Sequence, residues 1–206
     1  MKNIKSIIDE TFLAMYEEYD SIFKNFYPGQ GKAGFNEANL VQKFMFHYKQ
    51  TYPSSIVWTE LSTGEKSVGK YGRLDGVIID LQNDALIIIE AKRFNQPRKL
   101  SSSIEDIVRA TNLPDTIFHL NDIPIPSHRY TLVLGDIWDE GSSTDKRKLW
   151  IKSWESSNPL VEVGLEADIK PLQHRCRLLQ IKLQIKEYNY HLVYSLFECT
   201  KKETCP

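Results

Sequence analysis

The chain has no long hydrophobic run, few cysteines and almost no net charge, and each of these absences excludes a class of protein. No stretch of eighteen apolar residues occurs, and the first ten residues carry charges where an export signal would be apolar. We therefore expect a soluble cytoplasmic protein that does not enter a membrane. The three cysteines include no CxxC pair, which argues against a disulfide framework or a zinc site. With 26 basic and 27 acidic side chains the net charge is −1, so no broad positive field favours nucleic acid as a partner.

Nothing in the chain marks a boundary between two domains. Apolar residues make up 41% of the sequence, which is enough for a core, and no linker rich in Pro, Gly and Ser interrupts it. We expect a single α/β domain over residues 1–206. It has three parts: an N-terminal helix with a glycine-rich loop (1–35), a central core (36–136), and a C-terminal helix with a β-hairpin (137–206).

The spacing of apolar residues predicts the element order α, α, β, β, β, α, β, α, β, β. An apolar residue at every third or fourth position from Ile4 to Phe26 predicts an amphipathic helix. We interpret this helix as packed on its own domain, with a dimerisation helix as the alternative. Asn36 is predicted to cap the second helix. The later elements are predicted as strands at Ile56–Leu61, Gly72–Leu81, Ala85–Ala91 and Tyr130–Gly135, a helix opened by a capping box of Ser102 and Glu105, a helix at Thr144–Trp154, and a hairpin of Leu179–Ile185 with Tyr190–Phe197.

The second and third strands form a predicted hairpin that brings charged side chains together. With Gln82 and Asn83 as a two-residue loop, Asp75 lies opposite Glu90. A register shifted by two residues would instead place Asp75 opposite Lys92. The strand period of two aims Glu90 and Lys92 to one side, at the end of an apolar row. Because facing carboxylates destabilise a sheet, this arrangement favours a bound cation.

The residue types at this position match the ligands of a hard divalent cation. Two carboxylates and a backbone carbonyl are oxygen ligands that Mg²⁺ accepts, so Asp75, Glu90 and the carbonyl of Ala91 are candidate metal ligands. Lys92 would position or deprotonate an attacking water, or stabilise negative charge on a phosphate. Glu37, on the sheet-facing side of the second helix, would be a further metal or water ligand. The alternative for Glu37 is a simple interaction with the helix dipole.

These residues resemble the PD-(D/E)XK nuclease superfamily, which has the restriction-endonuclease-like fold. In that family a helix with an acidic residue precedes a hairpin whose strands bear Asp and Glu-x-Lys, and a helix and another strand follow. The corresponding residues here are Glu37, Asp75, Glu90 and Lys92. The resemblance covers about residues 36–136, and Leu74 stands where the family often has Pro. It implies a central mixed β-sheet flanked by helices, and hydrolysis of phosphodiester bonds in DNA by an endonuclease that uses Mg²⁺, or Mn²⁺ in its place, in restriction, defence or DNA processing.

Basic side chains around the motif are candidate contacts to DNA phosphates. The predicted nucleic-acid-binding residues are Lys70, Arg73, Arg93, Arg98, Lys99 and Arg109. Such contacts give an affinity that falls with salt and carries no sequence information. The alternative for each of them is a solvated surface residue. Because the net charge is close to zero, we expect a focused cleft that a homodimer or a partner subunit completes.

Two other functions are compatible with the sequence. One is a non-catalytic nucleic-acid-binding or assembly module that retains the nuclease fold and uses the N-terminal helix as a partner interface. Such a module need not bind a divalent metal. The other is a nuclease that acts on RNA or branched DNA with the same chemistry.

Overall fold

The computed structural model describes nine stretches of the chain, with gaps between them. They are residues 3–25, 36–63, 72–95, 99–118, 124–139, 145–162, 165, 169–183 and 186–199. The elements in chain order are α1 (Ile4–Asn25), α2 (Glu37–Thr51), β1 (Ile56–Ser62), β2 (Arg73–Asp80), β3 (Ala85–Arg93), α3 (Lys99–Thr111), β4 (His128–Asp139), α4 (Asp145–Ser156), α5 (Pro159–Glu162), β5 (Ile169–Leu183) and β6 (Lys186–Cys199). This confirms the predicted order, with the short helix α5 and a single 3₁₀ turn at Asp115–Phe118 added to it.

The six strands form one mixed sheet with the order β1-β2-β3-β4-β6-β5. β3 and β4 are parallel, and the other neighbouring strands are antiparallel. Parallel strands cannot be joined by a tight turn, and α3 lies in the crossover between β3 and β4. The expectation of an α/β fold with a central mixed sheet flanked by helices is therefore confirmed.

The β2–β3 hairpin has the register that places the two motif carboxylates across from each other. Asp80 pairs with Ala85, and continuing this register past the last ladder pair places Asp75 opposite Glu90. The alternative register, with Lys92 opposite Asp75, is wrong. The turn has four residues instead of the predicted two, with one additional residue at each end. This symmetric extension leaves the register unchanged.

Helices cover both faces of the sheet. On one face, α1 and α2 pack against alternate side chains of β3, β4 and β6, and Phe12, Met15 and Tyr19 of α1 are buried there. The hydroxyl of Tyr16 also donates a hydrogen bond to the carbonyl of Leu178 on β5, at 3.0 Å. The interpretation of α1 as packed on its own domain is therefore confirmed. On the other face, α3, α4 and α5 cover the sheet.

The two predicted helix caps have different outcomes. Asn36 caps α2, because its side-chain oxygen accepts a hydrogen bond from the N–H of Asn39 at 2.9 Å. The capping box of Ser102 and Glu105 is wrong, because α3 already includes Lys99. The hydroxyl of Ser102 lies inside the helix and donates to the carbonyl of Lys99 at 3.0 Å, which is a common alternative bond for serine.

Two strands extend beyond the apolar pattern that predicted them. β4 continues past Gly135, and β5 begins ten residues before Leu179. Both strands pair along most of their length with β6, so backbone pairing extends them through polar residues. Such long-range pairing leaves no signal in the local sequence. No helix within the described stretches is both long enough and apolar enough to cross a bilayer.

Gly135 leaves space for an aromatic ring that follows β3. A Cβ atom at this position would lie 2.4 Å from the ring of Phe94 and 2.9 Å from Cγ2 of Val193. Gly135→Ala should therefore lower the free energy of unfolding, measured by urea denaturation, by about 2 kcal/mol. At Gly72 the nearest atom would be 3.4 Å away. Gly72→Ala is the matched control, and an equal loss of stability in both variants would contradict the explanation.

Candidate active site

The last pair of the β2–β3 ladder is Gly76 with Ile89. Beyond this pair, two carboxylates accept the hydrogen bonds that backbone N–H groups of β3 donate. Oδ2 of Asp75 accepts a hydrogen bond from the N–H of Ala91 at 2.8 Å. Two residues further along β3, Oε1 of Glu37 accepts a hydrogen bond from the N–H of Arg93 at 3.0 Å. Buried N–H groups need partners, and here side chains from β2 and α2 supply them instead of a neighbouring strand. The structure thus brings Glu37 and Asp75 together at the end of β3, as predicted.

A cavity of about 540 Å³ opens at this position between α2 and the first two strands. Glu37, Asp75, Thr59 and Glu60 are among the residues that line it. The N–H and C=O groups of one strand residue point to the same side, so the carbonyl of Ala91 also faces the gap between β2 and β3. The carboxylates of Glu37 and Asp75 and the carbonyl of Ala91, all predicted as ligands, therefore lie at one edge of the cavity.

Glu90 approaches the same position from the face of the sheet that α3 covers. Its side chain is 2% exposed, and its Oε1 accepts a hydrogen bond from Nη2 of Arg109 at 2.8 Å. Burial, together with the charges of Asp75 and Asp106, raises the pKa of Glu90 to about 8, although Arg109 acts in the opposite direction. Burial is also the main cause of the raised pKa of Asp75.

Lys92 is held in an ion pair on the same side. Its Nζ lies 2.6 Å from Oδ2 of Asp106, whose other oxygen lies 3.0 Å from Nη1 of Arg109. Burial alone would lower the pKa of Lys92, but the hydrogen bond and charge of Asp106, with Glu90 and Asp75, raise it. Lys92 is therefore cationic at neutral pH. Of the roles that the sequence left open, this favours charge stabilisation over removal of a proton from water.

The acidic side chains of this site outnumber the cationic ones. The acids are Glu37, Asp75, Glu90 and Asp106, and the cations are Lys92 and Arg109. If all six groups are ionised, which for Glu90 requires a pH above its pKa of about 8, the site has two more negative than positive charges, and a single divalent cation would balance them. Carboxylate and carbonyl oxygens are also the ligands that Mg²⁺ prefers, so the residues present fit this ion.

Within the described residues, no group of three or more His, Cys, Asp or Glu side chains could hold a metal by itself. A cation at this position would therefore need an oxygen ligand in addition to these side chains, such as the carbonyl of Ala91.

Asp106 is the residue of this site that sequence reasoning missed. It lies on α3 one residue before Ile107, and Ser103, Ile107 and Ala110 are buried. An acidic residue beside the buried stripe of the helix that follows Glu-x-Lys was therefore the available signal. Arg109, predicted on the polar face of the helix, points toward the site instead.

Three of the predicted phosphate contacts form ion pairs within the protein. Nη1 of Arg73 lies 2.9 Å from a carboxylate oxygen of Glu60 at the surface, and both side chains are more than half exposed. Nε of Arg93 lies 3.3 Å from Oδ1 of the buried Asp136. With the pairs of Arg109 described above, these arginines contribute less positive potential to a DNA phosphate than their number suggests.

The other three predicted phosphate contacts have no contact with the site that the structure describes. Lys99 is the first residue of α3, whereas Lys70 and Arg98 lie outside the described residues. Their role in binding nucleic acid stays a prediction.

The two cysteines that the structure describes, Cys176 and Cys199, are free thiols packed among other side chains. Sγ of Cys176 lies 4.0 Å from Nδ1 of His191, and burial raises the pKa of this thiol to about 12. Cys199 is buried next to the hydroxyl of Thr131, and Cys205 lies outside the described residues. Cys176 is thus a poor nucleophile and a poor metal ligand at neutral pH.

Comparison of the chain with family models, with curated proteins and with solved structures gave no match in any of the three.

Proposed function

We propose that the protein is a Mg²⁺-dependent endonuclease of restriction-endonuclease-like fold, which hydrolyses phosphodiester bonds in DNA in restriction, defence or DNA processing. The observation that carries the proposal is the proximity of Glu37, Glu90 and Lys92 to Asp75, where the β2–β3 ladder ends. The core order α2-β1-β2-β3-α3-β4 agrees with the order that the family resemblance implies, which supports the fold assignment. Two neighbouring buried carboxyl groups have no evident structural benefit, since burial and their mutual repulsion disfavour ionisation in the metal-free protein.

Each side chain of the site has a distinct task in this proposal. Asp75, Glu90 and the carbonyl of Ala91 would hold the cation, which supplies Lewis-acid activation of the phosphate. Lys92, kept cationic by Asp106, stabilises the negative charge that develops on the phosphate oxygens. One carboxylate oxygen of Glu37 accepts a hydrogen bond from the N–H of Arg93. Glu37 also lines the cavity, where its carboxylate can orient a water molecule.

Incubation with supercoiled plasmid, linear duplex and single-stranded DNA tests the proposal, which requires metal-dependent cleavage of at least one of the three. We expect cleavage with Mg²⁺ or Mn²⁺ and none with EDTA, and we expect Lys92→Ala to reduce the rate by at least about a hundredfold. Lys5→Ala, which removes an exposed lysine of α1, is the matched control and should retain the wild-type rate. Cleavage that persists in EDTA or in Lys92→Ala would contradict the proposal. An absence of both cleavage and metal binding would favour the non-catalytic module.

A further inference from the structure

Trp58 is a large aromatic residue that the fold leaves exposed beside the candidate active site. It lies on the edge strand β1, and 61% of its surface is accessible. It pairs in register with Val77, and Asp75 and Glu90 lie two residues further along β2 and β3. The row of Thr59, Gly76 and Ile89 separates Trp58 from the two carboxylates.

Trp58 also lies on the same face of the sheet as Glu90. Its neighbours Val57 and Thr59 line a groove on the α2 side. Side chains alternate along a strand, so Trp58 faces the opposite side, which α3 covers further along the sheet. Ile56, two residues before it, packs in the apolar cluster that contains Val77 on that side. The indole and the Glu-x-Lys residues thus share one face.

Three arginines near the candidate active site are already paired with acids of the protein and are therefore less available to a DNA duplex. The net charge of the chain is −1, and Arg73, Arg93 and Arg109 each pair with an acid of the protein. Affinity for a duplex comes mainly from cations on phosphates. Stacking of bases on aromatic side chains is the other main source of affinity, and it needs bases that are not paired. An exposed indole next to the site supplies this second source.

We propose that Trp58 stacks on an unpaired base of the substrate beside the scissile phosphate, so that the substrate is single-stranded DNA or DNA with unpaired bases at the cleavage position. The inference rests on the proposed nuclease function and names its substrate class. A duplex without unpaired bases presents no base face to the indole, and it should bind more weakly.

Equilibrium binding in EDTA tests the proposal without cleavage. Fluorescence anisotropy of labelled oligo(dT) and of a duplex of equal length should show tighter binding of the single strand. Trp58→Ala should weaken oligo(dT) binding about tenfold, and Trp58→Phe should retain most of the affinity. Phe46→Ala removes an aromatic side chain of α2 with 53% exposure and is the matched control, with no change expected. Oligo(dT) should quench tryptophan emission in the wild type but not in Trp58→Phe.

Several outcomes would overturn this inference. They are an equal affinity of Trp58→Ala and wild type for oligo(dT), no binding of oligo(dT) by the wild type, and a dimer that sedimentation shows to depend on Trp58. The last result would assign the indole to an interface with a second copy of the chain. Metal-dependent plasmid cleavage that Trp58→Ala retains, together with unchanged oligo(dT) binding, would leave the nuclease function intact and remove only the stacking role.

Discussion

Asp75→Asn should reduce the single-turnover rate of DNA cleavage by about a thousandfold while the protein stays folded. The amide oxygen of Asn can still accept the hydrogen bond that the N–H of Ala91 donates at 2.8 Å. The substitution removes a negative charge that burial and the nearby Glu37 make unfavourable. The free energy of unfolding in urea, measured without metal, should therefore stay within about 1 kcal/mol of the wild type or rise.

Glu105→Gln provides the matched control for this prediction. Glu105 is an exposed residue of α3, next to Asp106, so its replacement removes a carboxylate close to the site but outside it. Both the cleavage rate and the stability of this variant should equal those of the wild type. If Asp75→Asn unfolds the protein, or if it cleaves as fast as Glu105→Gln, Asp75 has no role in holding a metal.

Arg109→Gln should destabilise the metal-free protein, and more so at high pH. Arg109 is the cation that contacts both the buried Glu90 and Asp106. The pKa of Glu90 is about 8 in the folded protein, above its ordinary value of 4.5. The metal-free wild type therefore loses stability as the pH rises from about 5 to about 8, and Arg109 limits that loss. We expect Arg109→Gln to cost about 1 kcal/mol at pH 6, where Glu90 is protonated, and about 3 kcal/mol at pH 9.

Urea denaturation at the two pH values measures this difference. The double variant Glu90→Gln/Arg109→Gln should lose much of the additional cost at pH 9, because the buried charge is gone. Saturating Mg²⁺ should also restore part of the stability of Arg109→Gln at pH 9, since a bound cation compensates the carboxylates. A cost that is the same at pH 6 and pH 9 would show that Arg109 contributes only packing and hydrogen bonds.

The features that the sequence predicts correctly are those that local pattern determines. The register of the β2–β3 hairpin depends on where the turn is centred, and a two-residue or a four-residue turn centred between Gln82 and Asn83 places Asp75 opposite Glu90 in both cases. The cap at Asn36 and the helical periodicity predict that Glu37 lies on the sheet-facing side of α2. The hydrogen bond that its side chain accepts from β3 agrees with this position.

The features that the sequence does not predict depend on contacts between distant segments. The ion pair of Lys92 with Asp106 requires that α3 lie along β3, and the local sequence of neither element shows that packing. Arg109 looked like a phosphate contact because its sequence neighbours do not show that the buried Glu90 is its partner. A positive charge in sequence therefore does not identify a DNA contact when the fold pairs it with an acid.

A Mn²⁺ titration followed by electron paramagnetic resonance tests the central claim most directly, namely that Asp75, Glu90 and the carbonyl of Ala91 hold a divalent cation. The signal of free Mn²⁺ should decrease by about one equivalent per chain in the wild type and in Glu105→Gln, and Mg²⁺ should restore it by competition. Asp75→Asn should lose this binding while it stays folded. Equal binding by Asp75→Asn and wild type, or no binding by either protein, would contradict the account.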